Sequence, residues 1–499
     1  MAPTVLDMLS AIDGSLPAID DGVLRLSYAD VQRCVAGERR WLQSMGVRRC
    51  ALLAENSARW VLSDLALLAC EAVNVPLPPS FTSEQIEHVL ADAGIDWMLT
   101  DEGKRITREH PAFNCVATSH RTGLSLLRRD GGSPQSSSWA THIAKVTYTS
   151  GSTGAPKGVC LRQGAIQAVT DSLVAATAGL GVQTHLCILP LATLLENIAG
   201  VYAPLTMGAK VVVRPSHTMG VSYGGLNVPL LLRAIDSTLP ESMILVPELL
   251  RALVYAVTAG WRAPTSLKFI AVGGGTVSTQ VLQQARQAGL PVFQGYGLSE
   301  CASVVCLNTP RHDKVDSVGR PLPHARVRID ANGEICVSGA TMAGYLGVPL
   351  QQDSEMRTGD LGEIDADGFV YVRGRVKNMF ITSMGRNVTP EWVESELIAE
   401  PAIAQAMVSG EAKPHPVALV VAMPNANEAS IDDAIARANS RLPDYARVRR
   451  WTSFPEAPTL DNRLLTANGR LRRAEIAARF HQLIDSLYDH ATSRLPEVS

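Results

Sequence analysis

The rhythm of apolar and polar positions changes along the chain, and each change marks a kind of element. Residues 28–45 carry apolar side chains at helical spacing, and 50–53 is an apolar run of strand length. The alternation continues with a helix over 60–73, a strand over 75–77, a helix over 83–93 and a strand over 97–100. It returns at strands 210–213, 243–246, 267–272 and 291–294, with helices 228–235, 247–258 and 280–288 between them. Short apolar strands separated by amphipathic helices pack as parallel sheet with helices on its faces. Past about residue 318, strands 326–329, 334–337, 362–365 and 369–372 are divided by Ala-Asn-Gly and Asp-Ala-Asp-Gly, the turn chemistry of antiparallel hairpins. A smaller α+β pattern follows from 374: helix 390–399, strands 405–409 and 417–423, helix 431–440. The fold class is therefore α/β. A large N-terminal domain (1–374) of parallel sheets packed with helices includes a small β-barrel-like part, and a small α+β C-terminal domain (375–499) follows. The Gly/Ser-rich stretch 129–138 reads as a surface loop.

Composition narrows the function. A chain of 499 residues exceeds the roughly 250–300 that one core holds, so two domains are expected on length alone. With 45 basic against 48 acidic residues the net charge is −3, which offers no footprint for nucleic acid. No uncharged apolar stretch reaches membrane-spanning length, which leaves room for peripheral association only. Acidic residues come too early for a signal peptide, and nine cysteines without a CxxC pair suit reduced thiols, so a cytoplasmic enzyme is expected. The histidines show no HExxH or paired metal spacing, so no structural zinc is expected.

The chemistry is densest at residues 149–158, TSGSTGAPKG, directly after an apolar strand. Three glycines allow close backbone approach, while four hydroxyls, backbone N–H groups and Lys157 can wrap a polyphosphate. It is not a Walker A loop, because no Lys-Ser/Thr pair stands at the required spacing. Residues 294–300, QGYGLSE, set an aromatic between glycines, able to lie flat on a purine, beside a hydroxyl and a carboxylate suited to phosphate and Mg²⁺.

These strings resemble the adenylate-forming (AMP-binding) enzymes, and among them most nearly the acyl-CoA synthetases and long-chain fatty-acid–CoA ligases. The resemblance runs from about residue 25 to 475. It implies that Thr149, Ser150, Gly151, Ser152, Thr153, Gly154 and Lys157 hold the β- and γ-phosphates of ATP. It further implies that Tyr296 stacks on adenine, supported by Gln294, Gly297 and Ser299, and that Glu300 binds Mg²⁺ with Thr149 nearby. AVGGG at 271–275 resembles the turn that contacts adenine and floors the acyl pocket, through Gly274 and Gly275. Asp360 in TGDL matches the acceptor for the ribose hydroxyls. In GRVKNMFITSMGRNVTPEWV, residues 374–393, Arg375 matches the ribose and phosphate arginine and Gly385 the glycine lining the thiol tunnel. Asn378 stands at the hinge acid, about which the C-terminal domain moves. LPLATLLEN at 189–197 resembles a segment of long-chain acyl-CoA synthetases and lacks the aspartate that amino-acid-activating relatives use.

One departure stands out. The family's mobile catalytic lysine corresponds to Arg470 in LTANGRLRR, residues 465–473. Arginine keeps the charge but binds oxygens as a planar fork. Arg470 substitutes for the lysine, Arg472 takes the role, or adenylation is impaired and the protein is an acyl- or nucleotide-binding homologue. The implied function is ATP-dependent activation of a fatty or aromatic carboxylic acid to acyl-AMP, with transfer to CoA or to the phosphopantetheine of a separate acyl-carrier protein. Two further patterns are read as incidental: GVSYG at 220–224 fits the serine-hydrolase pattern by chance, and the basic run 447–450 reads as a solvated face.

Overall fold

The computed structural model describes residues 4–131, 143–149, 156–222, 225–348, 355–459, 461–466 and 469–488. Two large sheets dominate. One has nine strands, with a parallel centre that includes Ser242–Leu245, Phe269–Val272 and Val292–Leu298. The other has eight, with Val73–Pro76, Arg49–Leu53 and Trp97–Thr100 parallel at its centre and antiparallel strands toward its edges. Helices Tyr28–Ser44 and Ala58–Ala69 supply apolar faces to a shared core that includes Trp60, Leu65, Val169 and Val201. A four-stranded antiparallel sheet, including Glu334–Gly339, Met356–Ile364 and Val370–Arg375, forms the smaller β part. The α/β reading therefore holds.

The C-terminal segment has a core of its own, in which Val393, Leu397, Val408, Val420 and Ile435 meet. Its three-stranded sheet joins Ile403–Ser409, Val417–Ala422 and Arg450–Ser453, backed by helices Pro390–Ile398 and Glu428–Ser440. It rests on the larger part where Ala399 joins the core around Val277 and Val281, and where Arg251 donates to the Ile403 carbonyl at 2.9 Å and Ser278 to Glu396 at 3.1 Å.

Two strands run further than the apolar pattern indicates. Val292–Leu298 continues through the glycines of the QGYG string, and Met356–Ile364 continues through the TGDL string. Tyr296 and Asp360 therefore sit on sheet backbone rather than on free turns, because antiparallel partners supply the hydrogen bonds that polar, Gly-rich sequence does not advertise. A helix of π type, Leu195–Tyr202, occupies the end of the 189–197 segment, with no counterpart in the sequence reading. Among the described residues, no helix is long and apolar enough to cross a membrane. The GVSYG string contributes Val221–Ser222 to a two-stranded ribbon, and its residues 223 and 224 lie outside the described residues.

Candidate active site

The strand Ile143–Thr149 pairs antiparallel with Lys157–Arg162, setting Thr149 opposite Lys157 at the mouth of the 150–156 connection. Of the expected phosphate-loop residues, Ser150, Gly151, Ser152, Thr153 and Gly154 lie outside the described residues. Lys157 is exposed, its ammonium 5.6 Å from the centre of the Tyr345 ring. Tyr345 in turn donates its hydroxyl to Glu300 Oε1 at 3.0 Å. Lys157, Tyr345 and Glu300 thus form one line of contacts from the phosphate hairpin to the expected metal ligand. Burial, and the charge of Glu300, raise the Tyr345 pKa well above the ordinary phenol value, so at neutral pH the hydroxyl stays a donor.

Glu300 is presented by unusual backbone. Ser299–Cys301 is a single 3₁₀ turn, and the next two residues, Ala302 (φ 52°) and Ser303 (φ 109°), both have positive φ without being glycine. Side chains rarely adopt such angles, and clusters of them persist where the surrounding structure imposes them, commonly at functional sites. Just before this turn, a register shift falls between Tyr296 and Gly297. A Cβ on Gly297 would lie 1.7 Å from the Ser303 carbonyl oxygen, so only glycine fits.

Asp360 organises the second half of the site. It is 4% exposed, accepting from Tyr296 Oη at 2.7 Å and pairing with Arg375 Nε at 2.7 Å. Arg375 is its cross-strand partner in the ladder between Met356–Ile364 and Val370–Arg375. Burial raises the Asp360 pKa, while Arg375, the Tyr296 hydrogen bond and Arg470 oppose that rise. Gln294 is buried in the same strand as Tyr296, and Ser299 follows where that strand ends.

Arg470 reaches this cluster from the C-terminal segment, 196 residues along the chain from Gly274, whose carbonyl accepts its guanidinium at 3.0 Å. Gly274 has φ +82°, a turn conformation that aims this carbonyl, and Gly275 follows in the same exposed turn. Packing around the guanidinium, then the like charge of Arg375, lower the Arg470 pKa, while Asp360 and Glu300 pull it back up. Lys377, exposed, is also lowered, by desolvation and by Arg375 and Arg470. Three cations therefore converge on Asp360. Arg472, the other residue named for this role, instead lies 3.5 Å from Glu475 on the helix that follows it.

Asn378 donates to Glu391, and the same carboxylate lies 3.7 Å from Arg473 Nε. Gly385 (φ +72°) forms the exposed tip of the hairpin between Phe380–Ile381 and Asn387–Val388, a hairpin tied to the C-terminal core through Ala412 and Lys413. The structure thus gathers Lys157, Glu300, Tyr296, Asp360, Arg375, Gly274 and Arg470, and gives Gly385 no contact with them. Tyr345 and Lys377 were not anticipated as site residues. Tyr345 stands in a Gly-flanked stretch with no spacing signal. Lys377 lies two residues past Arg375, and that proximity was the available cue.

This geometry agrees with similarity along the whole chain. Residues 12–346 match the AMP-binding enzyme family, and 377–492 match the AMP-binding enzyme C-terminal domain. The chain belongs to the AMP-binding enzyme family. It is 27% identical over 548 residues to a long-chain-fatty-acid–CoA ligase, FadD15, of Mycobacterium bovis, covering 90% of each chain. It is 28% identical over 503 residues to a feruloyl-CoA synthase of Amycolatopsis, covering 93% of this chain and 96% of that one. Its fold is shared with the O-succinylbenzoate coenzyme A synthetase MenE of Bacillus subtilis solved with AMP, at a TM-score of 0.73, 23% identity and 99% coverage of both.

Proposed function

We propose that this protein joins a fatty or aromatic carboxylic acid to a thiol in two steps at one site, through an acyl-adenylate. The observation that carries the reading is the convergence of Tyr296, Asp360, Arg375 and Glu300 with Arg470, which arrives from the C-terminal segment. In the first step the acid's carboxylate oxygen attacks the α-phosphorus of ATP and pyrophosphate leaves. Lys157, with the 149–154 loop, holds the departing phosphates. Tyr296 and Asp360 hold adenosine: each carboxylate oxygen of Asp360 has one protein donor here, leaving acceptor capacity for ribose hydroxyls. Arg470 neutralises charge between the substrate carboxylate and the α-phosphate, a task its permanent charge suits.

Glu300 fits a hard divalent cation, being an oxygen donor beside the phosphate hairpin with its other oxygen engaged by Tyr345. A bound Mg²⁺ would supply charge neutralisation on the phosphates. In the second step residues 375–499 turn about Asn378, withdrawing Arg470 and bringing the Gly385 hairpin toward the acyl-adenylate for attack by a thiol. One moving domain then serves two reactions with different needs. CoA is the preferred acceptor, as in the names of the relatives, with carrier-protein phosphopantetheine as the second. The placement of Arg470 supports an active enzyme over an impaired homologue. Cytoplasmic residence and a role in fatty-acid or aryl-acid metabolism complete the reading.

The test is ATP–pyrophosphate exchange over a panel of fatty and aryl acids, followed by product formation with CoA and carrier protein in competition. Exchange with at least one acid supports the reading. Tight ATP binding with no exchange on any acid would overturn it.

A further inference from the structure

Away from the nucleotide residues, a second cluster of chemically capable side chains is sealed in the large domain. His185 and Cys187 stand two positions apart on one extended segment, Thr184–Leu186 and the residue after it, so both side chains leave the same face. The π-helix Leu195–Tyr202 brings Glu196 back against them. One ligand atom from each lies within 4.8 Å of the others, and their exposures are 3%, 0% and 0%. His185 Nε2 is 3.3 Å from Glu196 Oε1. Around a tetrahedral Zn²⁺ with bonds of about 2.0–2.3 Å, donor atoms sit roughly 3.3–3.7 Å apart.

The surroundings are arranged as those of a cation site. Ser242 Oγ lies 2.8 Å from His185 Nδ1, and a hydroxyl accepting there would turn the Nε2 lone pair toward an ion held between Nε2 and Glu196. The Leu189 N–H donates to Glu196 Oε2 at 2.9 Å, holding the carboxylate with Oε1 toward the imidazole. Gly200 makes the room: a Cβ there would lie 2.1 Å from Glu196 Oε1 and 2.9 Å from His185 Nε2. The Cys187 thiol donates to the Gly200 carbonyl at 3.5 Å. Its Sγ lies within 4.8 Å of the Glu196 carboxylate and the His185 ring nitrogen.

We propose that His185 Nε2, Cys187 Sγ and Glu196 Oε1 form a buried site for one borderline-soft divalent cation, with zinc the best match to this donor set. Charge decides in its favour. A dication with one thiolate, one carboxylate and a neutral imidazole sums to zero, the state a dry interior tolerates best. Binding replaces the thiol proton: the S–H bond breaks, an S–Zn bond forms, and H⁺ leaves to solvent. These residues supply three of the four ligands of a tetrahedral ion, so a water would complete the shell, and the ion would pin the π-helix to the strand that precedes it.

The test uses the full-length protein. Metal content is measured as purified from zinc-supplemented culture. The protein is then stripped with chelator, titrated with Co²⁺ and followed by absorbance. About one zinc per chain, and a thiolate-to-cobalt charge-transfer band displaced by Zn²⁺, are expected. Cys187→Ser should abolish the band, and Cys115→Ser, at the exposed thiol, should leave it. Ser242→Ala should weaken affinity roughly 10–100-fold. Zinc-free protein that develops no thiolate–cobalt band overturns the proposal, as does a band that survives Cys187→Ser. Because the wild-type titration is decisive alone, a variant that fails to fold does not blunt the test.

Discussion

Asp64 and Asp360 are both buried carboxylates, each held by one cation and one tyrosine hydroxyl, and they differ in what completes the shell. Asp64 Oδ1 accepts from Lys145 at 2.9 Å and Asn74 at 2.6 Å, and its Oδ2 accepts from Tyr202 at 2.6 Å and Asn197 at 2.8 Å. Four donors meet four acceptor sites, and Lys145 itself is shared with Asn197 and Tyr202. Among the described residues the Asp360 carboxylate has Tyr296 and Arg375 as its partners, and the cations Arg470 and Lys377 drawn close are matched by Glu300 and Glu391. A saturated cluster holds a fold together, whereas one with acceptor capacity to spare leaves room for a ligand that donates hydroxyls. A nucleotide is such a group.

Breaking the saturated cluster should have the largest effect. Lys145→Met leaves Asp64 charged and uncompensated in the core, and stability should fall by about 3–5 kcal/mol, read as a lower denaturant midpoint at unchanged slope. Adding Asp64→Asn should recover part of that loss, and a neutral Lys145→Met would dissolve the contrast drawn here. Breaking the unsaturated cluster should spare the fold and cost catalysis. Arg470→Ala is expected to slow pyrophosphate exchange roughly 10²–10³-fold at unchanged thermal stability and ATP affinity, with Arg470→Lys retaining more. Unchanged exchange would remove Arg470 from the chemistry.

A smaller effect comes from a titrating group outside both clusters. Burial holds the His324 pKa down to about 4. Its folded-state pKa lies below the unfolded value near 6.5, so the unfolded chain takes up the proton first, and stability is lost as pH falls from about 6.5 toward 4. The loss should total about 1–3 kcal/mol by pH 4, and His324→Leu should flatten that limb in urea titrations across pH. The smallest effect concerns Tyr296, proposed to stack on adenine, whose hydroxyl donates to Asp360. Tyr296→Phe keeps the stacking face and removes one hydrogen bond, worth about 1 kcal/mol, so ATP should bind only a few-fold more weakly by calorimetry.

How much of this was legible varied by residue. The 149–158 and 294–300 strings were readable as motifs because their residues are contiguous, whereas the close approach of Gly297 to the Ser303 carbonyl came only with the structure. The strand bearing Asp360 was underestimated, because its polar, Gly-containing stretch has no apolar alternation and is held extended by its neighbours. Tyr345 and Lys145 gave no signal. An isolated tyrosine and a lone lysine in an apolar strand look like surface or chance until their partners, 45 and 81 residues away, are in place.

The sequence by itself determined the alternating elements, the Gly- and hydroxyl-rich string at 149–158 and the presence of an arginine where the family resemblance leads one to expect a lysine. Each is a local property, set by side-chain period or by residues adjacent along the backbone. Only the tertiary structure decided that Arg470 meets Gly274 and that Asp64 closes on Lys145 while Asp360 stays open. It alone brought His185, Cys187 and Glu196 together in a dry interior. Those pairings depend on sheet order, register and the packing that offsets the entropy of closing long loops, and none of these is written in any one window of the chain.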